Sequence, residues 1–218
     1  MKIGTDGVLL GAWVDVEGDV RILDVGTGTG LVALMLAQRN HDAQIVGIDI
    51  SGDATMEARD NFAQSPWAER LEACEGDVCS FSSDIKFDHI VSNPPYFVDS
   101  LHSPNLQRTM ARHTSSLSFD DLVLAAQRLL RPGGRLTVIL PTECAMQFRF
   151  AAFDSLSLRR QLNVVTKEGD APRRTLMEFV LQSSPLMPRT TTLTLRHHDN
   201  TYTDEYRKLT EEFYISLK

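Results

Sequence analysis

Arg21-Ile22-Leu23-Asp24-Val25-Gly26-Thr27-Gly28-Thr29-Gly30 is the stretch on which the reading of the fold turns. Its first half reads as a buried strand. Its second half alternates glycine with threonine, and Leu31 to Gln38 (LVALMLAQ) then reads as a helix. Glycines let the chain turn sharply and let a ligand come close to the backbone, so the stretch predicts a strand, a tight turn and a helix start. Working outward, Gln44 to Asp49 (QIVGID) is a second strand and Ala54 to Phe62 a second helix. Leu71 to Cys74 is a short third strand, and Phe87 to Ser92 (FDHIVS) a fourth. An amphipathic helix over Phe119 to Leu130 stops at Pro132-Gly133-Gly134, where a proline and two glycines cannot continue it. Arg135 to Leu140 is a fifth strand, Cys144 to Phe153 a helix, and Leu162 to Thr166 with Leu176 to Gln182 a closing hairpin. Strands alternating with helices predict an α/β fold: a mainly parallel, seven-stranded sheet, helices on both faces and a C-terminal antiparallel hairpin. Ligands in such sheets bind outside the carboxyl ends of the strands.

No internal repeat and no linker divides the chain, so residues 1–218 read as one domain. No apolar run reaches the roughly 18 residues of a membrane span, and the start lacks the plan of a signal peptide. Cys74, Cys79 and Cys144 form no CxxC pair and read as reduced thiols of a cytoplasmic protein. No metal site and no obligate protein partner is expected. The net charge of −7 hides an asymmetry: residues 1–99 hold 6 Lys and Arg against 17 Asp and Glu, whereas residues 100–198 hold 13 against 7. A basic surface on the second half, facing nucleic acid, is one reading; a solvated basic face is the other.

The glycine turn suits a nucleotide-type cofactor, and its acids narrow the choice. Asp49 ends the second strand about 20 residues on, where a carboxylate can accept from both ribose hydroxyls. Asp24 would repel a pyrophosphate but not the sulfonium and ammonium of S-adenosylmethionine, so that cofactor is expected over a dinucleotide. Gly26, Thr27, Gly28 and Gly30 would wrap it, with Ile50 beside the ribose acid. Asp77, followed by Val78, could accept from the adenine amino group or could be an ordinary turn aspartate.

Asn93-Pro94-Pro95-Tyr96 directly follows the fourth strand. An aromatic amine is a poor nucleophile because its lone pair is delocalised into the ring. The Asn93 side-chain oxygen and the Pro94 carbonyl can accept from its two hydrogens and aim the lone pair at a methyl group. The prolines stiffen the loop, and Tyr96 offers a flat face for a base. A base buried in a stack cannot reach such a pocket, so it must be flipped out or unpaired.

These motifs resemble those of the class I methyltransferases with an NPPY motif. More narrowly, the chain resembles the bacterial tRNA1(Val) adenine-N6 methyltransferase family over nearly its whole length. That resemblance includes the opening MKIGTDGVLLGAW (residues 1–13), the segment from Arg108 to His113 and the terminal Leu209 to Tyr214 (LTEEFY). It implies a Rossmann-like domain that methylates N6 of an adenine next to the anticodon of a valine tRNA. It further implies that Lys2, Thr5, Asp6 and Gly7 lie near the methionine end of the cofactor and that Arg108, Arg112 and His113 face RNA. Arg173 and Arg174, expected in a turn before the last strand, are additional candidates for phosphate contacts. The family's usual short N-terminal extension is expected to be missing ahead of Met1. Other readings are a glutamine-amide methyltransferase of release factors, a ribosomal-RNA guanine-N2 or DNA adenine methyltransferase, a non-catalytic cofactor-binding subunit and a nicotinamide oxidoreductase.

Overall fold

The computed structural model describes residues 4–94, 117–182 and 187–214. Strand β1 (Arg21–Val25), β2 (Gln44–Asp49), β3 (Leu71–Glu75), β4 (Phe87–Ser92), β5 (Leu130–Pro141), β6 (Ser157–Lys167), β7 (Pro172–Val180) and β8 (Arg189–Arg196) form one sheet. Their order is β3-β2-β1-β4-β5-β7-β6-β8. The first five run parallel, and β7 is antiparallel to both β5 and β6, as the expected hairpin requires. The sheet has eight strands rather than the seven expected, because the threonine-rich β8 pairs parallel to β6 at the far edge.

Alternation along each strand divides the core. Ile22, Ile45, Val91, Ile139, Leu162, Val164, Leu176 and Leu193 face one side. Leu23, Val25, Ile48, Ile90, Leu136, Val138, Met177 and Phe179 face the other. A period of two puts neighbouring residues on opposite faces, so both faces must be covered. Helices α1 (Thr5–Trp13), α2 (Leu31–Arg39), α3 (Gly52–Ala63) and α6 (Asp204–Thr210) lie on the first side; α4 (Phe119–Leu129) and α5 (Ala145–Ala152) lie on the second.

Local chemistry sets where the helices start. The Ser51 hydroxyl accepts from the Ala54 amide at the head of α3, and Ser118 and Asp121 exchange hydrogen bonds in a capping box at the head of α4. Helix α1 packs against α2 through small residues: a Cβ on Gly11 would stand 2.7 Å from the Met35 sulfur, and one on Gly7 3.2 Å from Leu31. Arg39, the last residue of α2, then donates to the carbonyls of Gly11 (2.8 Å) and Val14 (2.6 Å), which the end of α1 leaves without helical partners. This places the first turn of α1 beside the Gly26–Gly30 turn.

A buried polar network ties the lower half of the sheet together. His89 Nδ1 lies 2.9 Å from Asp19 Oδ2 and Nε2 lies 2.8 Å from the Thr137 hydroxyl. Arg135 donates to Asp19 at 2.7 Å. Glu178, fully buried on β7, receives Arg159 at 3.1 Å and Arg160 at 2.8 Å. Buried carboxylates without such partners would be strongly unfavourable.

Candidate active site

The carboxyl ends of β1, β2, β3 and β4 meet along one edge, with the end of β5 and the start of β7 beside them. Where β1 ends, the amides of Gly26 and Thr27 donate to the Ile48 carbonyl at 2.8 and 3.1 Å, so the turn is stitched to β2. Gly26, Gly28 and Gly30 have φ of +72°, +57° and +82°, a left-handed conformation costly for any residue with a Cβ. Beneath the turn, Thr27 packs onto Gly47, where a Cβ would clash with its side chain. The Thr27 hydroxyl donates to Asp24 Oδ2 at 2.8 Å.

Asp24 is only 1% exposed. Burial pushes its carboxyl up to about 6, and the nearby Asp49 charge adds to that; hydrogen bonds from Thr27 and the Ala33 amide work the other way. The structure therefore places Asp24 under the turn, where its hydrogen bonds tie the Thr27 side chain to the Ala33 amide in α2. Asp49 stands at the rim. Its Oδ2 accepts from the Gly28 amide and its Oδ1 from the Ser51 amide, each at 2.9 Å. Ile50 follows with its side chain 62% exposed. Asp77 is exposed and accepts from the Cys79 amide at 2.9 Å, Val78 is buried, and the Gly76 amide donates to the Asp49 carbonyl at 2.9 Å. Asp49, Ile50, Asp77 and Val78 are thus brought together next to the glycine turn.

At the end of β4, the buried Ser92 hydroxyl donates to the Val25 carbonyl at 2.8 Å. That bond fixes the position of Asn93, which is half-buried, and of the buried Pro94, relative to the turn. Sequence reasoning missed Ser92; its signal was a polar residue closing a strand ahead of the asparagine. Pro95, Tyr96, Arg108, Arg112, His113 and Lys2 lie outside the described residues. Thr5 is exposed, and Gly7 is buried against Leu31.

Arg173 and Arg174 depart from expectation. They belong to β7 itself, not to a turn before it, and Arg174 lies opposite Pro141 at the end of β5. Arg173 is exposed, whereas Arg174 Nε donates to Asp6 Oδ2 at 2.7 Å.

The residues present suit an adenosyl cofactor. An open glycine turn, a fixed rim carboxylate and an exposed aliphatic side chain stand at neighbouring strand ends. Among the described residues, no group of His, Cys, Asp and Glu could hold a metal ion, and no helix is long and apolar enough to cross a membrane.

The comparisons with known proteins agree with this arrangement. Residues 6–166 match the methyltransferase small domain. A tRNA1(Val) (adenine(37)-N6)-methyltransferase of Bacteroides thetaiotaomicron is 48% identical, over all of this chain and 92% of that protein. The chain belongs to this methyltransferase family. Among solved structures, a protein of Agrobacterium tumefaciens described as a predicted O-methyltransferase superposes with a TM-score of 0.73 at 19% identity, over 95% of this chain and 96% of its own. A glycopeptide N-methyltransferase complexed with S-adenosyl-L-homocysteine superposes with a TM-score of 0.60 at 13% identity, over 84% and 92%. Both share the Rossmann-like methyltransferase fold with this family member.

Proposed function

We propose that this methyltransferase moves a methyl group from S-adenosylmethionine to N6 of adenine 37 in the anticodon loop of a valine tRNA. The observation that carries the reading is the Ser92–Val25 hydrogen bond, which sets Asn93 and Pro94 beside the glycine turn in a chain of this family. The cofactor, when bound, supplies a methyl group on a positively charged sulfur.

The protein's own part is positional. Asp49 and the turn glycines hold the ribose side of the cofactor, and the Asn93 side-chain oxygen with the Pro94 carbonyl accepts from the adenine amino group. Those two bonds fix the nitrogen and favour the pyramidal form whose lone pair can attack. They also stabilise the positive charge that develops on it. Positioning and preplaced dipoles are the main sources of acceleration in such a transfer. No general base is required, because the methylated nitrogen loses its proton to water afterwards. Tyr96 is the residue assigned to stack on the base, and Arg108, Arg112, His113 and Arg173 are assigned to RNA phosphates. The work is assigned to the cytoplasm, where tRNA is.

The test is incubation with unmodified tRNA and radiolabelled S-adenosylmethionine, followed by digestion and mass spectrometry of nucleosides. Label in N6-methyladenosine at position 37 is expected. Label in 2-methylguanosine, or no label in tRNA but label in the glutamine of a release factor offered in a parallel reaction, would replace this reading with another. RNA affinity should fall steeply with salt, as phosphate contacts do.

A further inference from the structure

We propose that Met146, Phe150 and Phe153, with Arg149 among them, form a platform on which the unpaired nucleotides flanking the target adenine stack. The inference rests on the tRNA reading above and deepens it by naming a surface that receives the rest of the loop.

The helix itself builds the platform. Met146, Phe150 and Phe153 stand at i, i+4 and i+7, and Phe153, the residue after α5, keeps a helical φ of −55° and ψ of −44°. That spacing puts all three on one face. It is the face opposite the buried Phe148 and Ala152. Phe148 anchors the helix by packing its ring on Phe119 and Phe179, which leaves Met146, Phe150 and Phe153 58%, 74% and 81% exposed. Single exposed apolar residues are ordinary. Three along one helix face make a contiguous patch, and such patches mark binding surfaces.

Place and charge say what binds. Strand β5 pairs parallel with β4, with Val138 opposite Ser92; it continues to Pro141 and leads through Thr142–Cys144 into α5. The head of the platform therefore rises beside the strand that ends in Asn93, at the same carboxyl edge. Along the helix axis the three side chains span about 10 Å, the rise of about three stacked nucleotides. Arg149 is exposed within the helix, and among the described residues nothing engages its guanidinium. Glu143 and Asp154 are exposed just before and just after the helix. A cation at the middle and an acid at each end suit a short stretch of phosphate backbone rather than a long duplex.

Magnitudes separate RNA from a second copy of this chain. The patch exposes on the order of 300–500 Å², well short of the roughly 800 Å² per side that a stable protein pair buries. A flipped adenine, by contrast, leaves its neighbours without a stacking partner. An aromatic ring restores one whatever the base, since every base has a π-face.

Binding of this chain to an unmodified anticodon stem-loop, read by fluorescence anisotropy, tests the platform. Phe150→Ala and Phe153→Ala are each expected to weaken it by about five- to a hundredfold, the scale of one lost base–aromatic stack. The loss should appear in KM for tRNA rather than in kcat. S-adenosylhomocysteine affinity and Tm should not move, because both rings are exposed. Phe150→Trp should retain RNA affinity, whereas Phe150→Leu, apolar but not aromatic, should lose it. Arg149→Ala should lower the salt dependence by about one phosphate contact. Unchanged stem-loop affinity in the double alanine variant overturns the proposal, as does a leucine variant that binds as well as the unaltered chain. A dimer in sedimentation velocity that the alanine variants break apart, with RNA binding intact, assigns the patch to a second copy and overturns it too. If the unaltered chain binds no tRNA stem-loop, the substrate reading itself falls and takes the platform with it. Stem-loop binding that the variants lose, without N6 methylation of that RNA, keeps the platform and removes only the adenine reading.

Discussion

Asp49 holds Gly28 across two strand ends: its Oδ2 takes the Gly28 amide at 2.9 Å while its Oδ1 takes the Ser51 amide. One carboxylate therefore shapes the glycine turn and heads the following helix at once. Asp49→Ala is expected to weaken S-adenosylhomocysteine binding by about 1–3 kcal/mol, the scale of charged hydrogen bonds. Calorimetry measures it, and an unchanged affinity would take Asp49 out of the site.

Asn93→Ala separates chemistry from binding. Loss of one preplaced hydrogen-bonding group at the reacting centre costs about 10²–10³ in kcat. Single-turnover methylation of tRNA should slow by that factor while S-adenosylhomocysteine affinity stays the same. A variant that methylates at the original rate would show that the amide oxygen does not touch the target.

Gly30→Ala tests the turn itself. The residue has φ of +82°, and a Cβ there would run into the Phe62 ring. The left-handed conformation costs about 1–2 kcal/mol and the overpacking about 1–3 kcal/mol, so urea denaturation should show a loss of about 2–5 kcal/mol. Full stability in the variant would mean that the turn rearranges easily.

The His89–Asp19 pair predicts a pH dependence of stability. Burial pushes the His89 imidazole below its ordinary 6.5, although Asp19 pulls it up. Burial alone would raise Asp19, but hydrogen bonds from His89 and Arg135 outweigh that and hold it below 3.8. A depressed imidazole means that the unfolded chain binds the proton first, so stability is lost as pH falls from 6.5 toward the folded value. The Asp19 contribution is present above 3.8 and goes only in stronger acid. Asp24 acts with the opposite sign: the folded protein gains relative stability as pH falls from about 6 to 3.8. Comparing the protein with His89→Gln removes the Asp24 effect, which both share. The stability advantage of the unaltered chain should shrink between pH 7.5 and 5. A constant difference across that range would mean that His89 does not titrate differently on unfolding.

Much of this architecture can be read in the chain itself, for physical reasons that also mark where reading stops. Strands β1, β2 and β4 are short apolar runs ending in glycine, aspartate or Asn-Pro, so pattern and punctuation agree. Strand β8 was missed because Arg189 to Thr192 carry no apolar residue; only Leu193 and Leu195 alternate, and an edge strand needs no more. Helix α1 was missed because it is buried nearly all round, from Gly7 to Ala12, which erases the amphipathic period. The site residues that sit in local motifs, such as Asp49 and Asn93, were legible. Partnerships that span the chain, such as Asp6 with Arg174 or His89 with Asp19 and Thr137, leave no local trace. Asp24 was legible as part of the turn but not in its burial, which depends on Thr27 folding over it.

Helix α1 is closed on its outer side by the far end of the chain. Val8 and Ala12, with Met35 of α2, pack under Leu209, Phe213 and Tyr214, and the Gln38 side chain donates to the Glu212 carbonyl at 3.0 Å. During synthesis the first helix emerges from the ribosome long before its cover. A nascent chain ending before residue 204 has every strand of the sheet, yet it leaves this apolar seam open to water and to chaperones. Docking of residues 204–214 onto α1, rather than formation of the sheet, is then the step that covers this seam.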